Sequence, residues 1–308
     1  MLTIDNEVVR DIAIKAIEDN LLKAQEATNG AIVIDESITK GNFLVTTLFD
    51  SIGDATRRDT AVQTPVTKKR LADLAKTDVK LYFKDLVFYT YTELAQAGAD
   101  EKTVNVNLGE AIGAGVARWI LQRALIVAIA SISSEAGLVS TSATADIQLK
   151  DISKGLFAFG DRSENIVALV APSMVVAGLL DTALGTTADQ ISYGATYNAS
   201  IGTLNRPLWQ VDSSALDDDG KPIVIGLAKG AIVISESEAI FFKQGEVLDE
   251  ENVGVNMRTE GAYTLKIKGF SYDQSQGINP DDTVLGASAS WSLVGDKKSS
   301  AGVLIKGA

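Results

Sequence analysis

The chain has 308 residues, a net charge of -12 at pH 7, and neither cysteine nor histidine. The acidic charge argues against a nucleic-acid-binding face, because affinity for DNA or RNA depends on clustered Lys and Arg. Without Cys and His there are no disulfides or thiolate nucleophiles, no Ser-His-Asp triad, and neither the usual general base nor the commonest transition-metal ligand. A chain of this length buries a large core, in one large domain or two.

The N-terminal region predicts one amphipathic helix. Across residues 5–28, apolar side chains recur every three or four positions, and Asn29-Gly30 ends the pattern. The mixed region that follows, up to Pro65, is broken by glycines and charged residues. It predicts short pieces rather than a separate domain.

Residues 67–93 predict a long β hairpin. Val79, Leu81 and Phe83 alternate with polar residues, which indicates a strand covered on one face. After Asp85 both faces become apolar, so we expect a hairpin arm whose base is buried. A lone two-stranded ribbon is marginal in water, and a projecting arm therefore needs a partner surface.

Residues 111–137 are the most apolar stretch of the chain. The uncharged run within them is far shorter than the ~20 residues of a membrane-spanning helix, so they predict a buried helix of a soluble protein. Asn107 and Glu110 have capping-box spacing at its start, and Gly137 is a natural stop. The second half is apolar nearly all round and must be covered on two sides. Either it is the central helix of one large core, or another subunit supplies part of the cover.

The chain after Ser140 predicts a mixed α/β body. A short helix is expected within residues 146–160, a buried strand at Ile166 to Val170, and a helix from Ser173 to Leu184. An Asp-Gly turn lies between the first two of the remaining strand candidates. These candidates are "NRPLWQVD", "KPIVIGLAKGAIVIS", "AIFFK" and "GAYTLKIKGFSYD".

No catalytic, cofactor-binding or metal-binding residue is predicted. Gly113-Ala-Gly115 resembles part of a dinucleotide fingerprint, but no strand leads into it, and close helix packing is the favoured explanation. The acidic run at residues 217–220 lacks the alternate-residue spacing of a calcium loop and predicts a turn.

Three further motifs also have ordinary explanations. Glu236 and Glu238, two residues apart on a strand, should share a face, and a solvated sheet edge is favoured over an acid/base pair. Asn198-Ala-Ser200 matches a glycosylation sequon by chance. The basic cluster Lys68-Lys69-Arg70 is either part of a solvated arm or a contact to an acidic neighbour, and both remain open.

The order of the parts carries more information than any single motif. An N-terminal arm, a hairpin, a helix at about 108–136 and a mixed domain containing "IVALVAPSMVVAGLL", "LNRPLWQVD" and "GLAKGAIVIS" precede a distinctive C-terminal segment. That segment has Pro280, Ser290-Trp291, Asp296-Lys297 and a closing apolar strand from Gly302 to Ile305. Over nearly the whole chain this order resembles the major capsid proteins of tailed bacteriophages with the HK97-like fold. Ser290 departs from the Asn often found before that Trp.

The resemblance implies an α+β fold with five parts. The expected parts are an N-terminal arm (1–64), an extended hairpin loop (65–100), the spine helix of a peripheral domain (101–140), an axial domain (141–245) and a return to the peripheral domain (246–308). In that arrangement the axial domains meet at fivefold and sixfold centres. The arm and the extended loop reach over neighbouring subunits, and the loop of one subunit overlays the spine helix of the next.

The resemblance also implies a function. The chain would be a coat protein, with no enzymatic activity, no cofactor and no membrane partner, that assembles in the host cytoplasm into the icosahedral shell of a virion. Its partners would be further copies of itself in pentamers and hexamers, a separate scaffolding protein, a portal and a possible decoration protein. DNA would be packaged without sequence-specific binding, and an acidic inner surface of the shell would not bind it tightly.

One branch of the family joins subunits through Lys-Asn isopeptide bonds. The lysine, asparagine and acid that this requires cannot be matched residue by residue, so we expect no covalent cross-links. Three other classes remain as alternatives: an encapsulin-like nanocompartment shell, a phage tail or surface-array protein, and a histidine-free enzyme that uses carboxylates or a Ser-Lys pair.

Overall fold

One long helix and two sheets organise the chain. The computed structural model describes residues 5–35, 41–49, 73–96, 100–185, 191–193, 198–201, 206–247 and 251–308. The α-helices in these ranges are α1 (Asn6–Ala27), α2 (Tyr91–Gln96), α3 (Glu101–Ser133), α4 (Leu149–Leu156), α5 (Ser173–Gly185) and α6 (Asp282–Gly286).

The strands are numbered in chain order. The first group is β1 (Ile32–Asp35), β2 (Phe43–Phe49), β3 (Asp73–Thr90), β4 (Val139–Thr141), β5 (Ile166–Ala171), β6 (Ile191–Tyr193), β7 (Asn198–Ile201) and β8 (Arg206–Gln210). The second group is β9 (Asp217–Asp218), β10 (Lys221–Ala228), β11 (Ile232–Val247), β12 (Gly254–Ile267), β13 (Phe270–Tyr272), β14 (Trp291–Leu293) and β15 (Gly302–Lys306).

The predicted N-terminal helix is confirmed as α1. The Asp5 carboxylate caps its first turn by accepting from the backbone N–H of Glu7 at 3.0 Å. After its last turn the backbone takes positive φ at Asn29 and Gly30 (50° and 74°), which is the conformation that Asn and Gly tolerate best. One face of α1 is buried along α3, so this part of the predicted arm packs on its own chain.

The central helix begins earlier than its sequence pattern suggested. Asp100 caps α3 by accepting from the Thr103 N–H at 3.2 Å, so Asn107 lies inside the helix rather than at its cap. The prediction of a start after Asn107 was wrong because the capping-box spacing recurs within a helix that already has a better cap upstream. The helix ends at Ser133, four residues before Gly137.

The chain itself covers most of the apolar half of α3. Leu125 and Ile132 are fully buried, as are the small side chains between them. By length and composition alone, Lys102–Ser133 could cross a membrane, but half of its most apolar window is buried inside the chain. Of the two explanations that the sequence left open, the central helix of one large core accounts for this half.

The first sheet has the strand order β1-β11-β12-β3-β2. β1 is parallel to β11, and the other pairs are antiparallel. Residues 73–90 form one strand, so the prediction of a hairpin contained within 67–93 was wrong. The antiparallel partner of β3 on the N-terminal side is β2, which pairs Phe43 with Val79 and Phe49 with Asp73.

The second sheet has the order β4-β15-β10-β5-β8-β7-β6, with β9 paired to β10. Residues 221–235, which the sequence suggested as one strand, divide between the two sheets, because Gly230 has a φ of +63° and turns the chain. The predicted parts at 141–245 and 246–308 do not coincide with the sheets. β11 belongs to the first sheet, and β15 lies inside the second.

The C-terminal segment adds a short two-stranded sheet, β13-β14, and then the strand β15 of the second sheet. Trp291 is buried, its ring centroid is 5.3 Å from that of Tyr272, and its indole N–H donates to the Leu285 carbonyl at 3.0 Å. Asp296 caps the next turn by accepting from the Lys298 N–H. The closing strand predicted at Gly302 to Ile305 is confirmed as β15.

Candidate functional site

The glycines of the predicted helix-packing motif have different surroundings. A Cβ on Gly113 would lie 2.5 Å from the carbonyl oxygen of Ala13 and 2.6 Å from the Cβ of Ala16, both on α1. At Gly115 the same atom would meet open space. Close packing of α1 on α3 therefore explains Gly113, as predicted, but does not explain Gly115.

The acidic run at 217–220 forms the turn between β9 and β10. Asp219 and Gly220 have positive φ (54° and 82°), and the Asp217 carboxylate accepts from the Gly220 N–H at 2.6 Å. Asp218 pairs with Lys306 at 3.2 Å. Across the described ranges, no cluster of three acidic side chains could hold a metal ion.

Glu236 and Glu238 lie on opposite faces of the sheet. The register shifts between them, so that Glu236 is opposite Tyr263 and Glu238 is opposite the adjacent residue, Ala262. The prediction that they share a face was wrong, because a β-bulge adds a residue to β11 at this point. Burial raises the pKa of Glu236. The two carboxylates are separated by the sheet and cannot act as a pair.

The other two motifs add nothing to a site. Asn198 and Ser200 lie in β7, whose side chains are outside the described part of the structure. Lys68-Lys69-Arg70 also lies outside the described residues.

The first sheet continues beyond its outer strands as a three-stranded ribbon. β1 pairs only with residues 232–235 of β11, and β2 only with residues 73–79 of β3. The ribbon consists of residues 236–247, 254–264 and 80–90. Within the described ranges, no strand pairs with the outer edge of either β11 or β3 in this part. Unpaired edges of this length are a template for another chain.

One face of the ribbon is held against α3. The ring centroid of Phe83 is 5.7 Å from that of Trp119 on the helix and 6.0 Å from that of Tyr263 on β12. A Cβ on Gly261 would lie 2.7 Å from the Phe83 ring, so the glycine allows this ring to lie flat on the sheet. Met257 and Val255, near the far end of the ribbon, are also buried, so this face stays on the core along its length.

The opposite face of the ribbon is open and apolar. Leu86, Phe88 and Phe241 are 60%, 42% and 58% exposed, which is unusual for such large apolar side chains. The ladder pairs Leu86 with Arg258 and Arg258 with Lys243, so these side chains share one side. We call this surface the ribbon face; its residues are Lys84, Leu86, Phe88, Phe241, Lys243, Arg258 and Glu260.

Sequence reasoning identified parts of the three strands of the ribbon face but missed the segment 254–260 and the face itself. "AIFFK" was predicted as a strand of its own, whereas it is the middle of β11. The detectable signal was the alternation of Phe241 and Lys243 with intervening residues, matched by Lys84, Leu86 and Phe88. The pairing that places both sets on one side depends on the bulge in β11, which the pattern does not reveal.

A second open surface is a groove of about 780 Å³ between α1, α3 and the segment after β8. Its floor is apolar and consists largely of small residues of both helices together with Leu121, Leu125 and Trp209. Charged side chains on its rim include Lys23, Arg118, Glu26 and Asp212. Hydrogen bonds from Ser173 lower the pKa of Asp212, so this carboxylate is already engaged in capping α5. The groove can therefore hold a polypeptide segment with small apolar side chains.

A polar row, partly buried, crosses the first sheet near its base. Lys266 on β12 pairs with Asp35 on β1 at 2.8 Å, and Lys76 on β3 lies 2.8 Å from Asp78. Burial raises the pKa of Asp78, and this effect outweighs the nearby ammonium groups. Both carboxylates are matched to lysines, so the row is explained as part of the fold.

Comparison with solved structures supports the fold. The chain resembles one from Microbacterium phage Oxtober96, with 13% identity, a TM-score of 0.56 and coverage of 92% of this chain and 91% of that one. It also resembles the capsid of Ralstonia phage GP4, with 10% identity, a TM-score of 0.51 and coverage of 79% and 84%. A third similar structure is the capsid of cyanophage P-SCSP1u, with 13% identity, a TM-score of 0.50 and coverage of 78% of this chain and 84% of that one.

These likenesses confirm the predicted HK97-like fold. Among curated proteins none matches the chain. The family model described as Gp13-like, major capsid protein 13-like, matches residues 1–304. With nearly the whole chain matched, this protein belongs to the Gp13-like family of phage major capsid proteins and is a structural protein of the capsid shell.

Proposed function

We propose that copies of this capsid protein form a closed icosahedral shell of pentamers and hexamers around the phage genome. The observation that carries the proposal is the family match over residues 1–304. A heterologous contact repeated around a closed symmetry generates rings, and curvature closes the rings into a shell. Assembly would take place in the host cytoplasm.

The sheets suggest how the chain divides into the parts of a coat subunit. We assign α1, α3 and the first sheet to the peripheral domain, and the second sheet, including β15, to the axial domain that meets its copies at the symmetry centres. We place β2 and β3 at the base of the extended loop. This assignment replaces the boundaries at 65–100 and 141–245, because strand pairing is a better guide to a domain than the order of motifs.

The groove beside α3 is the proposed binding site for the extended loop of a neighbouring subunit. Its small-residue floor allows a backbone to approach closely, and each Å² of apolar surface covered contributes about 25 cal/mol. A single contact of this kind is modest, but repetition over a shell makes the sum large. The exposed flank of α3 would then be covered by a second subunit, whereas its buried flank is covered by the chain itself.

The remaining partners follow from the same role. A separate scaffolding protein, a portal and a decoration protein are proposed on the resemblance alone. With a net charge of -12, contact with packaged DNA would be non-specific and weak. We propose no reaction for the chain and no covalent cross-links between subunits.

Electron microscopy of the expressed full-length chain, with and without a co-expressed scaffold, tests this function. We expect closed shells and, from infected cells, particles that protect DNA from nuclease. Shells filled with a cargo protein instead would identify a nanocompartment, and tubes or sheets would identify a tail or surface-array protein. Ladders above the monomer on SDS gels of heated particles would contradict the absence of cross-links.

A further inference from the structure

We propose that the ribbon face binds the far end of the ribbon in a second copy of the chain. The ribbon end is defined by Glu246, Glu251 and Val253, which lie where β11 and β12 are joined. This contact rests on the proposed shell function, since it needs copies held side by side.

Charge is the first argument for this pairing. The ribbon face contributes the exposed cations Lys84, Lys243 and Arg258 on a chain whose net charge is -12. Glu238 and Glu260 lie on the same side and neutralise part of this charge, Glu260 through an ion pair with Arg258. The ribbon end contributes the exposed acids Glu246 and Glu251. Opposite charges on the two surfaces favour the correct partner and register.

Apolar surface is the second argument. Val253 is 46% exposed at the ribbon end, although its carbonyl is fixed by the Tyr91 N–H at 3.2 Å. An apolar side chain flanked by acids is thus presented to a face on which Leu86, Phe88 and Phe241 are flanked by cations. Exposed ion pairs contribute only about 0–1 kcal/mol each, so the buried apolar area must supply most of the affinity.

The geometry of the ribbon excludes the same chain as the partner. Lys243 pairs with Arg258 and Val247 pairs with Gly254 in one continuous ladder. At about 3.3 Å per residue, these two pairs are roughly 13 Å apart along the strands, so the end cannot reach Lys243 and Arg258 of its own face, although the Phe88 ring lies against Gly254 beside the end. Face and end are different surfaces, which makes the contact heterologous and repeatable around an axis.

A charge swap in the full-length chain tests the pairing. Lys243→Glu with Arg258→Glu, or Glu246→Lys with Glu251→Lys, should each lower the yield of shells at least about tenfold, because like charges then meet at the contact. The four substitutions together should restore most of the yield. Lys229→Glu with Lys268→Glu, at the base of the same sheet, is the matched control and should assemble normally. Thermal unfolding of each purified variant checks that it folds.

Disulfide trapping tests the same contact in assembled shells. The chain has no cysteine, so Lys243→Cys in one copy and Glu251→Cys in another can form only the intended bond or a homodimer. Oxidation of mixed shells should give a dimer that contains both variants. A control pair, Lys268→Cys in one copy and Glu251→Cys in another, should give no dimer that contains both variants.

The outcomes separate this contact from the shell itself. Normal shells without the mixed disulfide and without charge-swap rescue overturn the contact and leave the proposed function intact. If wild-type chains form no shells under any condition, the proposed function fails and the contact fails with it. If the variant with Lys243→Glu and Arg258→Glu assembles normally but its shells retain less DNA, the ribbon face binds nucleic acid. That result also overturns the contact.

Discussion

Gly113 on α3 lies directly against Ala13 on α1, so close that a Cβ on the glycine would be 2.5 Å from the Ala13 carbonyl oxygen. The two helices are therefore in backbone contact at this position. Because α3 also packs on β11 and β12, the packing of α1 on α3 affects the support beneath the first sheet. A change at Gly113 should act on stability without touching any exposed surface.

Gly113→Ala should lower the free energy of unfolding by about 1–3 kcal/mol, because the added methyl group forces the helices apart. Gly115→Ala is the matched control on the same helix. Its Cβ meets open space, and alanine in place of glycine should raise the free energy by about 0.5–1 kcal/mol. Urea denaturation of both variants measures the difference. Equal effects of the two substitutions would contradict the close contact.

Phe83→Ala should destabilise the protein by about 3–5 kcal/mol, since it removes a buried ring from between Trp119 and Tyr263 and leaves a cavity. Phe88→Ala, on the open face of the same strand, should cost only about 1 kcal/mol, because its ring is 42% exposed and covers little beyond Gly254. Denaturation monitored by tryptophan fluorescence compares them. If Phe88→Ala proved as costly as Phe83→Ala, both faces of the ribbon would be covered within one chain.

Elements defined by local patterns were predicted well from the sequence. The spacing of apolar residues placed α1 within a residue or two at each end, and the apolar strands predicted at Ile166 to Val170 and Gly302 to Ile305 are each one residue shorter than the observed strands. Each of these signals depends on neighbours in the chain. The absence of a catalytic constellation was likewise a statement about residue types, and it stays a prediction.

Elements defined by long-range pairing were not predicted. No local pattern shows that β3 pairs with β2 across the intervening residues, or that a bulge sends Glu236 and Glu238 to opposite faces. The start of α3 was missed for a different reason, because Asp100 caps the helix upstream and the spacing of Asn107 and Glu110 falls inside it. The ribbon face was missed because it combines residues from three strands whose register is set by these pairings.

Trp291→Phe should lower the free energy of unfolding by about 1–3 kcal/mol. The buried Leu285 carbonyl then loses the indole N–H that donates to it at 3.0 Å. The phenyl ring would keep much of the contact with Tyr272. Tyr272→Phe is the control. The Tyr272 hydroxyl donates to the Gly277 carbonyl at 3.4 Å, a long hydrogen bond, so losing the hydroxyl should lower the free energy of unfolding by less. Thermal unfolding at neutral pH gives both values. A larger effect at Tyr272 would contradict the assigned role of the indole.

The Asp78 carboxyl should make stability depend on pH in an unusual direction. Burial raises its pKa above 3.8 in the native state, although Lys76 lies 2.8 Å away. A carboxyl with a raised native pKa favours the fold most when it is protonated. Its contribution is complete below the unfolded pKa and is lost as pH rises through the native pKa. The stability of the wild type minus that of Asp78→Asn should therefore fall as pH rises from about 4.

Asp212→Asn provides a control of opposite sign. Hydrogen bonds from Ser173 lower the native pKa of Asp212, so its contribution is complete above the unfolded pKa and is lost as pH falls through the native pKa. The stability of the wild type minus that of this variant should fall toward acid pH. Unfolding of the three proteins in urea between pH 3 and 8 measures both differences under the same conditions. If the Asp78 difference also fell toward acid pH, its ion pair with Lys76 would outweigh burial, and the polar row across the sheet would stabilise the fold through charge pairing.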